Sequence, residues 1–300
     1  MSDTDEIYYS NALTRYLYSV IEVRQSLFIS LLNHDPTQAL YWGYESYYSG
    51  FEKETFEFLQ RIYNDIYAEN NPDLKDYINE LRETWDKNDV NHCDCNVGSI
   101  IYTLALRPYN LVTFVKDILS YKITKDEQNE DLMPQCLISL TPEHIEKYKT
   151  KIVDVEKGEK ARNLLTTVKL YPIMKEYNTL FTLFNTKSDV EFKDIYNYPF
   201  EKWLYYASRS PIWLERITDH NGTINDDTKT VTFLDEDDEN NFCELWDYEQ
   251  NELPSDIHEL SIGTGKEKQL TIRQFCKKYK YTVVSKITKR KVTKKSEKTG

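Results

Sequence analysis

The chain has 300 residues, 40% hydrophobic content and a net charge of −12 from 50 Asp/Glu against 38 Lys/Arg. That supplies a core for one large or two ordinary domains, while the lack of any run of 18 apolar residues excludes a membrane-spanning helix. The start, "MSDTDEIYYS", has neither the basic nor the apolar region of a signal peptide, and five scattered cysteines (Cys93, Cys95, Cys136, Cys243, Cys276) do not make a disulfide framework.

Only 8 Gly and 9 Pro punctuate the chain, which favours long helices because both residues break regular elements. The 24 tyrosines have a bland source: Lys, Asn, Ile, Tyr and Phe share A/T-rich codons. The charge is split. Residues 266–300 hold thirteen Lys/Arg and two Glu, so an acidic body of −23 carries a basic end of +11. Such asymmetry lets the body repel phosphate, while the end either attracts it or folds back on its own body.

In chain order, the spacing of Leu13, Tyr16, Leu17, Val20, Leu27, Phe28 and Leu31 predicts a helix over 5–33, interrupted by Arg24. Asp35 and Pro36 start a second helix that runs to about Gly50. A third covers about 52–69, and Asn71-Pro72 starts a fourth with Leu74, Tyr77, Ile78, Leu81 and Trp85 on one stripe. These four pair as two antiparallel hairpins. Residues 97–123 read as two helices parted near Arg107-Pro108. Residues 124–140 are a polar linker. Thr141-Pro142 opens another helix, and 158–185 is helical with a break at Pro172. Two short aromatic helices meet at Pro211. Asn221-Gly222 and the alternating Thr230-Val231-Thr232-Phe233 predict a small β-hairpin. Residues 250–265 read as loop, and the chain closes with a basic tail, partly disordered at its end. The fold class is mainly α: stacked helical hairpins, a small β-hairpin in the C-terminal third, and that tail. The implied division is 1–123, a linker at 124–140, 141–265 and 266–300.

The decade "YWGYESYYSG" (41–50) holds five aromatic rings. Leu40, Tyr41, Tyr44, Tyr47, Tyr48 and Phe51 fall on one core-facing stripe of about 120°. Trp42 points away from it, so a neighbouring helix covers it or it is a partner-binding anchor.

"NHCDC" (His92, Cys93, Cys95) offers soft ligands, yet Cys-x-Cys needs two more from elsewhere, and reduced loop cysteines are the plainer reading. No Gly-x-Ser-x-Gly, Walker loop, dinucleotide fingerprint or His-Glu-x-x-His occurs. The expectation is therefore no catalytic residue, no metal and no cofactor. The run "LDEDDEN" (234–240) reads as a solvated acidic face. In the tail, Lys286, Lys289, Arg290, Lys291, Lys294 and Lys295 suit phosphate contact, with Phe275, Tyr279 and Tyr281 interleaved upstream.

Two stretches, "ALYWGYESYYSGFEKETFEFLQRIYNDIYAENNP" (39–72) and "WLYYASRSPIWLERITDHNGTINDDTKTVTFLDEDDENNF" (203–242), resemble proteins of mimivirus-like giant DNA viruses, a group with no assigned activity. The resemblance implies an A/T-rich viral genome and a life in the host cytoplasm, at the viral factory, with the nucleus or the virion as alternatives. The leading expectation is a non-enzymatic helical adaptor with a protein partner, acting in viral gene expression. The alternative is a nucleic-acid-binding factor that uses the tail. An enzyme without a recognisable motif is a third reading.

Overall fold

The centre of the protein is a pair of helices, α1 (Val20–Leu32) and α2 (Pro36–Tyr47), in a computed structural model that describes residues 12–87, 94–126, 136–149, 168–174, 202–246, 255–262 and 270–287. In α1 every residue but Arg24 is buried. In α2 the nine residues from Ala39 to Tyr47 are all buried. A helix covered on every side is a core helix. The link between them is short because His34 adopts φ 54° and its Nδ1 sits 2.9 Å from Ala105 O. Asp35 then caps α2, its carboxylate accepting Gln38 N–H at 3.0 Å.

The expected helix over 5–33 forms only from Val20. Residues 5–11 lie outside the described residues, and residues 12–19 are a buried non-helical segment with a bridge between Leu13 and Ser19. Its apolar spacing matches a helix, but its polar backbone groups are captured from elsewhere. The Arg15 N–H donates to Ser49 Oγ at 2.8 Å and the Tyr16 N–H to Glu45 Oε1 at 3.1 Å.

The third helix, α3 (Glu52–Ile62), continues into a π turn, Tyr63–Tyr67, where Ile66 O accepts Asn110 N–H at 2.7 Å. Asn71 does not cap the next helix. Its buried side-chain amide ties Tyr67 O to Pro108 O, and α4 (Leu74–Asp86) starts three residues later. In this core Tyr44, Phe56 and Tyr63 are buried, and Tyr48, Leu81 and Trp85 are half-buried against it. Next, α5 (Cys95–Ala105) crosses α2 closely: a methyl group at Gly43 would collide with Ile101, and one at Gly98 with the Tyr44 hydroxyl. Two of the few glycines are thus spent where helices touch.

Then come α6 (Val112–Asp117), strand β1 (Tyr121–Lys125) and α7 (Pro142–Ile145), which Thr141 and His144 start with a capping box. The helix expected over 158–185 lies outside the described residues except at 168–174. In the C-terminal third, α8 (Pro211–Asp219) begins at the expected proline. The expected hairpin is present as β2 (Thr223–Asn225) and β3 (Thr230–Thr232), paired antiparallel. Its turn is held by Asn225 Oδ1 accepting Thr228 N–H at 3.0 Å. The acidic run forms the first turn of α9 (Glu236–Trp246), where carboxylates oppose the positive end of the helix dipole. Trp213, fully buried on α8, donates its indole N–H to Thr14 O at 3.0 Å and so locks this unit to the N-terminal segment. Arg216 lies between the Trp213 and Trp246 rings, 4.6 and 3.9 Å from their centroids.

Two further findings depart from the sequence reading. Within the span read as loop, residues Ser255–Ile262 form a helix, α10. And the segment read as tail begins with α11 (Ile272–Lys278) and strand β4 (Tyr281–Lys286), which pairs antiparallel with β1 from Tyr121↔Lys286 to Lys125↔Tyr281. The boundary expected after residue 123 falls inside β1, and one buried cluster runs from Leu13 to Tyr281.

Truncation after Gly265 therefore removes Phe275, Cys276, Tyr279 and Tyr281 from the core and strips β1 of its partner. With about 1.5–3 kcal/mol for each large side chain withdrawn, the shortened protein is expected to melt far below the intact one or to be recovered unfolded. A melting temperature equal to that of the full chain would show that α11 and β4 are dispensable.

Candidate nucleic-acid interface

Trp42, read as either covered by a neighbouring helix or a partner anchor, is fully buried. Tyr18 and Tyr41 meet it edge-on, with centroids at 5.2 and 4.9 Å. It presents nothing at the surface, and the covering side is the segment before α1, not a binding partner. The other rings of the decade are core as expected. The Tyr44 and Tyr48 hydroxyls meet Asp94, Tyr44 donating to its backbone O at 3.0 Å and Tyr48 to Oδ2 at 2.8 Å, while the Tyr41 hydroxyl donates to Val168 O at 2.9 Å.

Beside these rings lies a buried ion pair. Arg15 Nε donates to Glu45 Oε2 at 2.9 Å, with both side chains almost fully covered. Arg15 Nη2 donates to Tyr148 O at 2.8 Å, and the guanidinium lies over the Tyr16 and Tyr48 rings. Lys169, also buried, sits over the Tyr18 ring at 4.9 Å. Burial pushes its ammonium down to about 7, against the opposing pull of Glu45. Burial likewise pushes Tyr18, Tyr41, Tyr44, Tyr47 and Tyr67 above the ordinary tyrosine value. The Arg15–Glu45 pair and the hydroxyls of Tyr18, Tyr41 and Tyr44 form a hydrogen-bonded polar core along α2.

The surface with a distinct chemistry is the β1–β4 ribbon and its surroundings. Strand alternation sends Ile123, Tyr281 and Val283 inward, and Lys122, Thr124 and Thr282 outward. The register shifts between Lys122 and Ile123, which leaves Val284 as an extra residue on β4. A bulge of this kind sharpens the local twist and re-aims its side chain, and Val284 is 60% exposed. Leu111 N–H donates to the Tyr281 hydroxyl at 3.2 Å, which roots the ribbon in the core.

Around this ribbon, residues 116–126 and 270–287 expose eight cations: Lys116, Lys122, Lys125, Arg273, Lys277, Lys278, Lys280 and Lys286. The carboxylates in the same segments are Asp117 and Asp126, and Asp126 accepts the Thr282 hydroxyl at 2.7 Å. An acidic chain has gathered positive charge onto one small folded unit.

Of the residues expected to meet phosphate, Lys286 closes β4 with its ammonium 5.9 Å from the Tyr121 ring centroid. Lys289, Arg290, Lys291, Lys294 and Lys295 lie outside the described residues. Phe275, Tyr279 and Tyr281 are buried, so they form no stacking platform. Lys116, Lys122 and Lys125 escaped the sequence reading. Their only local signal is lysine alternating with Ile123, and what brings them to the basic end is a pairing across the chain. At the "NHCDC" motif, Cys95 is buried and disulfide-bonded, which corrects the reading of reduced loop cysteines for that residue, and His92 and Cys93 lie outside the described residues. Cys136, Cys243 and Cys276 are thiols.

Among the described residues no helix is long and apolar enough to cross a membrane. Comparison with protein-family models, curated proteins and solved structures finds no match.

Proposed function

We propose that the protein is a nucleic-acid-binding factor whose phosphate contacts come from the β1–β4 ribbon, helix α11 and the basic residues that follow. One observation carries the reading: eight exposed cations against two carboxylates on one folded unit of a chain with net charge −12. A charge pattern opposed to that of the whole chain suits a polyanion. The resemblance to giant-virus proteins would place the contact in the host cytoplasm. Trp42, the one side chain named for a protein partner, lies in the core.

The test is salt dependence. Each phosphate contact contributes about 0.9 to the slope of log affinity against log salt on duplex DNA. Changing Lys122, Lys280 and Lys286 together to Gln is expected to flatten the slope by about 2–3 and to weaken binding at low salt. Changing the exposed Lys53 and Lys75 of the acidic body is expected to leave the slope unchanged. Equal slopes for both sets of variants would remove the ribbon from the interface.

A further inference from the structure

The proposal of phosphate contact leaves open which nucleic acid is bound, and the shape of the ribbon bears on that choice. Proteins that hold single strands rely on exposed aromatic rings, on which successive bases stack. Here every ring within the basic unit is withdrawn: Phe275, Tyr279 and Tyr281 are buried and Tyr121 is half-covered. The outward face carries instead short side chains with hydroxyl or methyl tips. Thr124 and Thr282 are cross-strand partners, Ser285 faces Lys122, and Val284 projects at the bulge. All five are exposed. The Thr282 hydroxyl is donated to Asp126 and leaves its methyl outward; the Thr124 and Ser285 hydroxyls can donate to or accept from base edges, and threonine or valine methyls pack on the thymine methyl.

Width makes the same discrimination. Two paired strands lie about 4.8 Å apart, and with their side chains they match the B-DNA major groove, about 12 Å wide, which admits a two-stranded ribbon. The major groove of A-form RNA is too narrow for side chains to enter. Cations border this face: Lys122 lies on it opposite Ser285, Lys125 and Lys286 stand at the strand ends on the other side of the ribbon, opposite Tyr281 and Tyr121, and Lys280 immediately precedes β4. They stand where the two phosphate backbones would flank an inserted ribbon.

We infer that the β1–β4 ribbon takes B-form duplex DNA in preference to single strands or A-form RNA, with the Thr124, Thr282 and Val284 face entering the major groove. This rests on the function proposed above. The test is fluorescence anisotropy of the full-length protein with four probes: a short DNA duplex, its separate strands, the RNA duplex of the same sequence, and the DNA duplex with glucosylated 5-hydroxymethylcytosine. The last fills the major groove and leaves the phosphates unchanged.

Plain duplex DNA is expected to bind about tenfold or more tightly than each other probe, since a base-edge contact contributes about that much discrimination. Thr124→Ala with Val284→Ala is expected to narrow the gap between plain and groove-filled duplex while leaving affinity for the groove-filled duplex unchanged. Both residues are exposed, so folding is not at stake. Binding of similar strength to all four probes, or tighter binding to single strands, would overturn the inference and leave phosphate contact standing. Absence of salt-dependent binding to any probe would overturn the proposed function and the inference together.

Discussion

Replacing Glu45 with alanine is expected to destabilise the protein by about 3–5 kcal/mol, the usual consequence of leaving one partner of a buried ion pair behind. The carboxylate receives both the Arg15 side chain and the Tyr16 backbone N–H. Without it the buried guanidinium loses its counter-charge, and a buried charge without one does not recover the hydration it gave up. The effect should spread, because Glu45 holds the 12–19 segment against α2 and that segment covers Trp42. The pair itself is a different matter from its halves. Arg15→Met combined with Glu45→Leu should recover much of the loss, since apolar replacements of similar volume often match a buried pair. Urea unfolding of the two single variants and the double variant tests this. If Glu45→Ala shifts stability by less than about 1 kcal/mol, the size expected of a surface pair, the pair is not the clasp described.

The second large effect is on pH. The buried tyrosines have folded-state values above their unfolded value of about 10 because burial disfavours the phenolate. A raised value contributes stability that is whole below pH 10 and lost as pH climbs beyond it. Lys169 has the opposite sign. Its folded value, about 7, is below the unfolded value of about 10.4, so its contribution is whole above 10.4 and lost as pH falls toward 7. Cys276, pushed up to about 11 by burial, contributes below its unfolded value of about 8.5 and loses that contribution from there to 11. The lysine and thiol effects oppose each other between about 8.5 and 10.4.

Stability is therefore expected to rise by about 2 kcal/mol from pH 7 to 8.5, at about 1.4 kcal/mol per pH unit for one proton, then to level. Above pH 10 five tyrosines act together. The decline approaches about 7 kcal/mol per pH unit, enough to exhaust a typical total of about 5–15 kcal/mol within one to two units. Unfolding followed by circular dichroism and by tyrosinate absorbance should show one steep alkaline step. Lys169→Met should abolish the rise between pH 7 and 8.5 and leave the alkaline step in place. A gradual tyrosine titration near pH 10 without unfolding would contradict the burial of these rings.

Much of the helical framework was legible because the cues were local. Asp35-Pro36, Thr141-Pro142 and Pro211 each mark the start of a helix within a few residues of sequence. The angular argument placed Trp42 away from the Tyr44–Tyr48 stripe. It could not say that α2 is surrounded, because the cover comes from Tyr18 in a segment whose own spacing imitates a helix. Segment 12–19 was misread for the same reason: Leu13, Tyr16 and Leu17 repeat correctly, but the Glu45 carboxylate outcompetes the helical ladder for Tyr16 N–H. The interface was the least legible part. "YKITK" and "YTVVSK" are short, contain lysines and have no turn between them. Each becomes a strand only in the presence of the other, and so Lys122 and Lys125 could not be joined to Lys286 by any local pattern.

That pairing also sets an order of events during translation. Tyr121–Lys125 leaves the ribosome with α6 already made, while its partner strand is encoded roughly 160 positions later. At about 5–20 residues per second, β1 waits roughly 8–32 s as an uncovered edge beside nascent helices. Lysines at 122 and 125 make that edge a poor template for other chains during the wait. The charges that face the proposed ligand in the finished molecule thus also keep the half-made one from aggregating.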